Sequence, residues 1–250
     1  MAPGLDTEHG DRVSVSKKCC SLIVMASGLA FTAAACSAEK VPIAEDLSTR
    51  LVTADLFPGG WTMNLGPDDA PGDPSGILTE EQRALLPSIE LCEDATDDAR
   101  TAVDALEPIV FRQLDLAVDN PIDVPFDREG HLVFLQEFLY ADASDQMRET
   151  FDLVKAGMLA CLGDIPAGEE GPGVAEEVTV PEVGDDRVGV FTSIEEAGGW
   201  AEWRINQTLV VDGTVMMMFV IVDIRSGNDI DPYFTDADIA EMIRVVADRL

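Results

Sequence analysis

The chain has 250 residues, of which 48 are acidic and 16 are basic, so its formal net charge at neutral pH is −32. A charge of this sign and size repels phosphate backbones and anionic lipid headgroups, which excludes nucleic-acid binding. The length favours one domain and is ample for a hydrophobic core.

Residues 17–36 have the pattern of an export signal. Lys17 and Lys18 precede an uncharged run, residues 19–35, which ends in three alanines directly before Cys36. Two positive charges, an apolar run and small residues are typical of a signal peptide. A cysteine at the next position resembles the site at which bacterial lipoproteins receive a diacylglycerol. We therefore predict a signal peptide over residues 1–35, lipid attachment at Cys36 and a tether over residues 36–44, which places the protein on the outer face of the cell membrane.

Three alternatives to this interpretation of the leader stay open. The three alanines also fit a site whose cleavage would release a secreted protein. The apolar run is about the minimum length for a membrane-spanning helix, and a buried core helix is a further alternative. Residues 1–16 contain three acids, which is untypical of a leader, and this indicates a translation start nearer Val13 or Val15.

Two cysteines, Cys92 and Cys161, follow Cys36. An even pair in an oxidising compartment favours one disulfide, and two buried free thiols are the alternative. Removal of residues 1–35 takes away three acidic and three basic residues, so the mature chain keeps the net charge of −32. We assign residues 45–250 to one domain.

The first half of this domain contains few long periodic segments. Trp61, after a Pro-Gly-Gly turn, is expected in the core. The loop at residues 64–76 contains three aspartates, but their spacing matches no EF-hand loop, and no metal site is expected. The predicted elements are a helix at 46–52, a helix at 95–106, and strands at 109–116 and 132–140 joined by a long connection.

A long helix is predicted over residues 142–162, with Asp142 or Ser144 as its N-cap. Apolar residues recur on it at spacings of three and four, which indicates one buried face. The members of this stripe are Met147, Phe151, Val154, Met158 and Cys161.

The second half of the domain is predicted to consist of strands and a final helix. Strands are expected at 177–180 and 187–194, followed by a hairpin of 200–210 and 214–225 around Val211-Asp212-Gly213. Along its first strand, Trp203, Ile205 and Leu209 face one side, and Glu202, Arg204, Asn206 and Thr208 the other. Its second strand is apolar on both faces, which is typical of a central strand. Thr235 and Asp238 predict a capping box for the last helix. Antiparallel strands with helices packed on them define an α+β fold.

The sequence offers little for catalysis. His131 is the single histidine after residue 35, and we expect it at the surface near a strand end. No zinc-binding H-E-x-x-H and no G-x-S-x-G motif is present, so we predict a non-enzyme with no cofactor. The many carboxylates leave open a hydrolase of cell-wall polymers that works through paired acids.

Short segments spread over residues 80–250 resemble the PknH-like family of extracellular sensor domains and related actinobacterial lipoproteins. They are Cys92 before a helix, Phe138–Met147 with Leu159-Ala-Cys161, Gly184-Asp185, Gly198–Arg204 and Asp223–Gly227. The resemblance implies an α+β domain with a twisted antiparallel sheet flanked by helices, a cleft for a ligand and a Cys92–Cys161 disulfide. A second disulfide of the kinase sensor has no equivalent here, since Glu202 and Ser226 occupy the nearest positions. The kinase domain and its membrane span are missing as well.

We therefore expect a membrane-anchored, non-catalytic sensor-like domain that binds a small ligand or an envelope protein. Arg112, Arg204 and Asn206 are the candidates for the ligand face, and ordinary solvent-facing strand positions are the alternative for each. A structural partner in an envelope complex is a further alternative, and an extensive exposed apolar patch would favour it.

Overall fold

A computed structural model describes residues 40–57, 59–64, 75–83, 86, 89, 91–118, 121, 129–165, 171–196, 200–227 and 231–250. The predicted signal peptide, Cys36, the first residues of the predicted tether and most of the predicted loop at 64–76 lie outside these ranges. Within them, no helix has both the length and the apolar character needed to cross a bilayer. The same residues contain no cluster of metal-ligating side chains.

Eight strands form one antiparallel sheet in this part of the chain. They are β1 (Trp61–Asn64), β2 (Val110–Leu116), β3 (Gly130–Ala141), β4 (Gly163–Ile165), β5 (Gly173–Glu177), β6 (Asp186–Glu195), β7 (Ala201–Asp212) and β8 (Val215–Ser226). Their order across the sheet is β1-β2-β3-β8-β7-β6-β5-β4. Two meanders, β1 to β3 and β4 to β8, therefore meet where β3 pairs with β8.

Five helices accompany the sheet in the described residues. They are α1 (Ala44–Ser48), α2 (Glu80–Arg83), α3 (Asp97–Asp104), α4 (Ser144–Ala160) and α5 (Asp236–Ala247), with a 3-10 turn at Ala54–Leu56. All these elements belong to one compact unit, Ala38–Leu250. The arrangement confirms the predicted α+β class.

β8 is buried on both faces, as its sequence predicts, and it pairs with β3 and β7 along its whole length. Its odd-numbered residues pack with α1 and α5 in one core, and we call this side of the sheet face A. Its even-numbered residues pack with α3 and α4 in a second core on the other side, face B. The apolar residues of the sheet thus belong to two hydrophobic cores, one on each face.

Helix α4 carries the chain from β3, at the middle of the sheet, to β4 at its edge. Four members of the predicted stripe, Met147, Phe151, Val154 and Met158, are buried on face B. Gly157 lets α4 approach its neighbours closely, because an added Cβ would lie 2.7 Å from Leu91 Cδ1 and 3.0 Å from Ala99 Cβ.

Cys92 and Cys161 form a disulfide that joins the segment before α3 to the end of α4. This confirms the pairing that the resemblance implies. Cys161 is the C-cap residue of α4 and is only partly buried, so the predicted buried stripe ends at Met158.

The predicted N-cap of the long helix is wrong. The N-cap is Ala143, and no side chain caps the helix. Asp142 instead accepts a hydrogen bond from the N–H of Ala143 at 2.7 Å. The predicted capping box of α5 is confirmed, because the Thr235 and Asp238 side chains each bind the other's backbone N–H.

Several predicted strand boundaries change because sheet pairing decides them. β5 ends at Glu177, so the strand predicted at 177–180 is wrong, and β1 and β4 are short edge strands in segments interpreted as turn or loop. Asp212 pairs with Val215, so the hairpin loop is Gly213-Thr214, which begins two residues and ends one residue later than the predicted loop at 211–213. The first helix, α1, begins and ends earlier than the predicted helix at 46–52.

Replacing both Cys92 and Cys161 by serine should lower the free energy of unfolding by about 4 kcal/mol. The reason is that the disulfide closes a long loop and so restricts the unfolded chain. Urea unfolding of oxidised wild type and the double variant would measure this. Equal unfolding midpoints and slopes would contradict the expectation.

Candidate functional site

The two faces of β7 differ in polarity, as the sequence predicts. Leu209, Trp203 and Ile205 belong to the core on face B. Val210 belongs to the core on face A, and the even-numbered residues that precede it are polar. A row of polar side chains therefore lies on face A, where an apolar core would otherwise continue.

Neighbouring strands extend this row into a cluster that we call the polar strip. Pairing places Arg204 opposite Ser193 on β6 and opposite Asp223 on β8. Arg225 pairs with Glu202 and with His131 of β3. The members of the polar strip are His131, Ser193, Glu202, Arg204, Asn206, Asp223 and Arg225.

Glu202 is fully engaged within the polar strip. Its Oε1 accepts a hydrogen bond from Ser193 Oγ at 2.7 Å, and its Oε2 accepts from Arg225 Nε at 2.8 Å and from Arg225 Nη2. Burial opposes ionisation, but the hydrogen bonds from Arg225 and Ser193 together outweigh it, so the pKa of Glu202 lies below its ordinary value. Glu202 is therefore an ionised carboxylate that positions its neighbours.

Asp223 is engaged in the same way. One oxygen lies 2.9 Å from His131 Nδ1, and the other accepts a hydrogen bond from the backbone N–H of Tyr233 at 2.8 Å. The His131 side chain is only 15% exposed, and its ring meets Tyr233 edge to face. His131 is thus a partly buried partner of a carboxylate, and the expectation of a surface residue is wrong.

In the polar strip, the serine and the histidine are too far apart for nucleophilic hydrolysis, and the two carboxylates already have hydrogen-bonding partners. Ser193 and His131 lie on β6 and β3, which are three strands apart. At about 4.8 Å per strand this is about 14 Å, too far for a nucleophile and its base. Glu202 and Asp223 are diagonal neighbours on paired strands, and their Cα atoms are about 7 Å apart. The pKa of Glu202 is lowered, so Glu202 does not match a general acid, and both oxygens of Asp223 already have hydrogen-bonding partners.

Arg204 and Asn206, two of the predicted ligand-face residues, have open hydrogen-bond donors. The Arg204 guanidinium lies 4.8 Å above the ring of Phe191, and its contact with Glu202 Oε1, at 4.0 Å, is longer than a hydrogen bond. Phe191 is also the β6 pairing partner of Asn206. Within the described residues neither side chain donates a hydrogen bond. The structure thus brings these two residues together on one open surface.

A groove of about 410 Å³ borders β6 and the residues that follow β5, and its lining residues include no member of the polar strip. It is lined by Glu177, Val178, Thr179, Val180, Arg187, Val188 and Gly189. Gly189 is two residues from Phe191 on the same face of β6, and an added Cβ there would lie 2.6 Å from Val180 Cγ2. The volume is in the range of small-molecule sites.

Arg112, the third predicted residue, lies elsewhere. Only 7% of it is exposed, so the alternative of an ordinary solvent-facing position on β2 is wrong. Arg112 Nη1 donates to the carbonyl of Val52 at 2.8 Å, and the N–H of Val52 donates to Glu137 Oε2 at 2.7 Å. Arg112 and Glu137 are also cross-strand partners. We call this arrangement of Val52, Arg112 and Glu137 the buried clamp.

Glu137 is the most perturbed carboxyl in the described residues. Burial raises its pKa to about 7, although the Val52 N–H and the charges of Arg249 and Arg112 oppose the rise. Its Oε1 has no hydrogen-bond partner among the described residues. Because Glu137 is 1% exposed and covered by Val52, we assign it a structural role.

Among the solved structures that are similar to this chain are two from Mycobacterium tuberculosis. No protein-family model matches the chain, and no curated protein sequence is significantly similar to it. The extracellular domain of PknH from Mycobacterium tuberculosis aligns at 12% identity with a TM-score of 0.44, covering 84% of this chain and 97% of that domain. LpqN, involved in cell envelope biogenesis of Mycobacterium tuberculosis, aligns at 10% identity with a TM-score of 0.24, covering 78% and 84%. At these identities and TM-scores, we carry over neither a family nor a residue role from either structure.

The buried clamp predicts a specific pH dependence of stability. Since the native pKa of Glu137 is raised from 4.5 to about 7, its contribution is complete below pH 4.5 and is lost as the pH rises through 7. The free energy of unfolding should fall by about 3 kcal/mol across this interval. Glu137→Gln keeps an acceptor for Val52 and should remove this decline.

Urea unfolding at pH 5 and pH 8 would measure the difference. Glu241→Gln is a matched control, because Glu241 lies on α5 with a largely exposed side chain. An unchanged pH dependence in Glu137→Gln, relative to wild type and control, would contradict the assignment.

Proposed function

We propose that this chain is a non-catalytic, sensor-like binding domain that acts outside the cytoplasm and is tethered to the membrane through a lipid on Cys36. The observation that carries the proposal is the contrast within the polar strip. Both oxygens of Glu202 and of Asp223 already have hydrogen-bonding partners, whereas Arg204 and Asn206 donate no hydrogen bond within the described residues. Fixed charges with unused donors favour recognition of a ligand over acid–base chemistry.

Two features support a location outside the cytoplasm. The Cys92–Cys161 disulfide is typical of oxidising compartments. The charged, apolar and small-residue segments before Cys36 are typical of export. The acid excess of the chain also suits a soluble module at an envelope surface.

Ligand binding can be tested with the full-length protein extracted from membranes in mild detergent. Native mass spectrometry should find a co-purified molecule on wild type, because the donors of the polar strip would hold it. The double variant Arg204→Ala with Asn206→Ala should lose that molecule. Arg244→Ala, an exposed site on α5, is the matched control and should retain it.

The proposal of a ligand site in the polar strip is wrong if wild type carries no molecule above the background of a detergent blank. It is equally wrong if the double variant, folded by circular dichroism, retains the same molecule as the control.

The lipid anchor gives a separate prediction. Cys36→Ala removes the thiol that would carry the lipid, so the protein should move from the membrane fraction to the soluble extracellular fraction. Immunoblots of fractionated cells would measure this. A variant as firmly membrane-bound as wild type would contradict lipidation at this residue, without bearing on the polar strip.

A further inference from the structure

We infer that Arg204 and Asn206 bind the carboxylate group of a small ligand on face A. This inference rests on the proposed binding function and adds the chemical class of the ligand. In the polar strip, the carboxylates of Glu202 and Asp223 already have hydrogen-bonding partners. The donors of Arg204 and Asn206 have none among the described residues, and the ring of Phe191 holds the guanidinium in place.

Arg204 is held in place by its contacts while its donors stay available. The Phe191 ring supports the guanidinium from below at 4.8 Å, an arrangement that fixes a cation by cation–π attraction. The side chain is 25% exposed, so a ligand can reach it. A guanidinium presents its N–H groups in a planar fork that matches the two oxygens of a carboxylate.

Asn206 adds a second donor beside the first. It lies two residues along β7 on the same face, which places the two Cα atoms about 7 Å apart. Its amide makes no hydrogen bond within the described residues and so offers N–H groups toward the same space. Phe191, shared by both residues, gives this site an apolar floor.

The charges of the polar strip favour a monoanion over the alternatives. A cationic ligand would need a free carboxylate, but Glu202 and Asp223 have both oxygens occupied. A phosphate is recognised best by clusters of arginines, and here Arg225 is already paired with Glu202. Two arginines and two carboxylates balance locally, and salt screens the remaining negative charge beyond about 8 Å. One open arginine and one amide therefore suit a single carboxylate.

The test uses the full-length protein in detergent, labelled with 15N at arginine and asparagine. Sodium benzoate is the probe, because it combines a carboxylate with an apolar ring, and sodium chloride at equal ionic strength is the reference. Benzoate should produce saturable shifts of the side-chain N–H signals of Arg204 and Asn206. Inorganic phosphate and tetramethylammonium should produce none at the same concentration.

Variants test whether benzoate binding depends on the planar guanidinium of Arg204. Arg204→Gln should abolish saturable binding, and Arg204→Lys, which keeps the charge, should weaken it at least tenfold. Arg244→Gln should bind benzoate as wild type does. If Arg204→Gln fails to fold, Arg204→Lys and Asn206→Ala carry the test, because lysine keeps the charge at a partly exposed position and alanine removes only the amide of Asn206.

Three results would overturn the inference: shifts that do not saturate, tighter binding of phosphate or tetramethylammonium than of benzoate, or unchanged binding in Arg204→Lys. The proposed function is tested by a separate result. A co-purified molecule that lacks a carboxylate but depends on Arg204 and Asn206 would refute the ligand class and leave the binding function standing. If benzoate does not bind and no molecule co-purifies, both the ligand class and the binding function are refuted.

Discussion

The buried carboxylate of Glu137 connects the segment after α1 with the middle of the sheet. It accepts the N–H of Val52, whose carbonyl accepts a hydrogen bond from Arg112. The adjoining residues are held from the other side, because Arg249 donates to the carbonyls of Thr49, Arg50 and Leu51. Backbone groups that would lie buried without partners are thus satisfied by charged side chains, and loss of one partner of such an arrangement costs several kcal/mol. Both ends of the domain are fixed to the sheet through these contacts.

The buried clamp closes one corner of face A. The rest of this face contains an apolar part and a polar part. β8 contributes apolar residues to both cores, and α4 covers face B. The core of face A includes residues of α1, α5 and the segment around Trp61, whereas the polar strip lies on β3, β6, β7 and β8. Glu202 orders Arg225, and Asp223 binds His131. The open donors of Arg204 and Asn206 provide the proposed recognition.

Local sequence patterns predicted the elements whose partners are close in the chain. The apolar run of β8, the stripe on α4 and the Thr235–Asp238 capping box each follow from short-range rules, and the structure confirms them. The alternation along β7 also placed Arg204 and Asn206 on one face.

The features that local sequence patterns do not predict depend on contacts between residues far apart in the chain. Arg112 and His131 each have an ordinary strand position in the sequence, and only the approach of Val52 and Asp223 defines their roles. The one available signal was Glu137, an acid within the apolar residues of β3, which indicates a buried charge with a specific partner. β4 and β5 were missed because their pairing with each other and with β6 is invisible to local propensity.

The pairing of β3 with β8 has a consequence for the order of assembly. Gly130 pairs with Ser226, so the middle of the sheet joins a strand from the centre of the sequence to one from near its end. Contacts of such high sequence separation form late and slowly, since a long loop must close first. A chain threaded through a translocation channel from its amino terminus would have its last strand emerge after most of its length. The sheet would close only at that moment, so the protein could cross as an extended polypeptide and acquire its two cores on arrival.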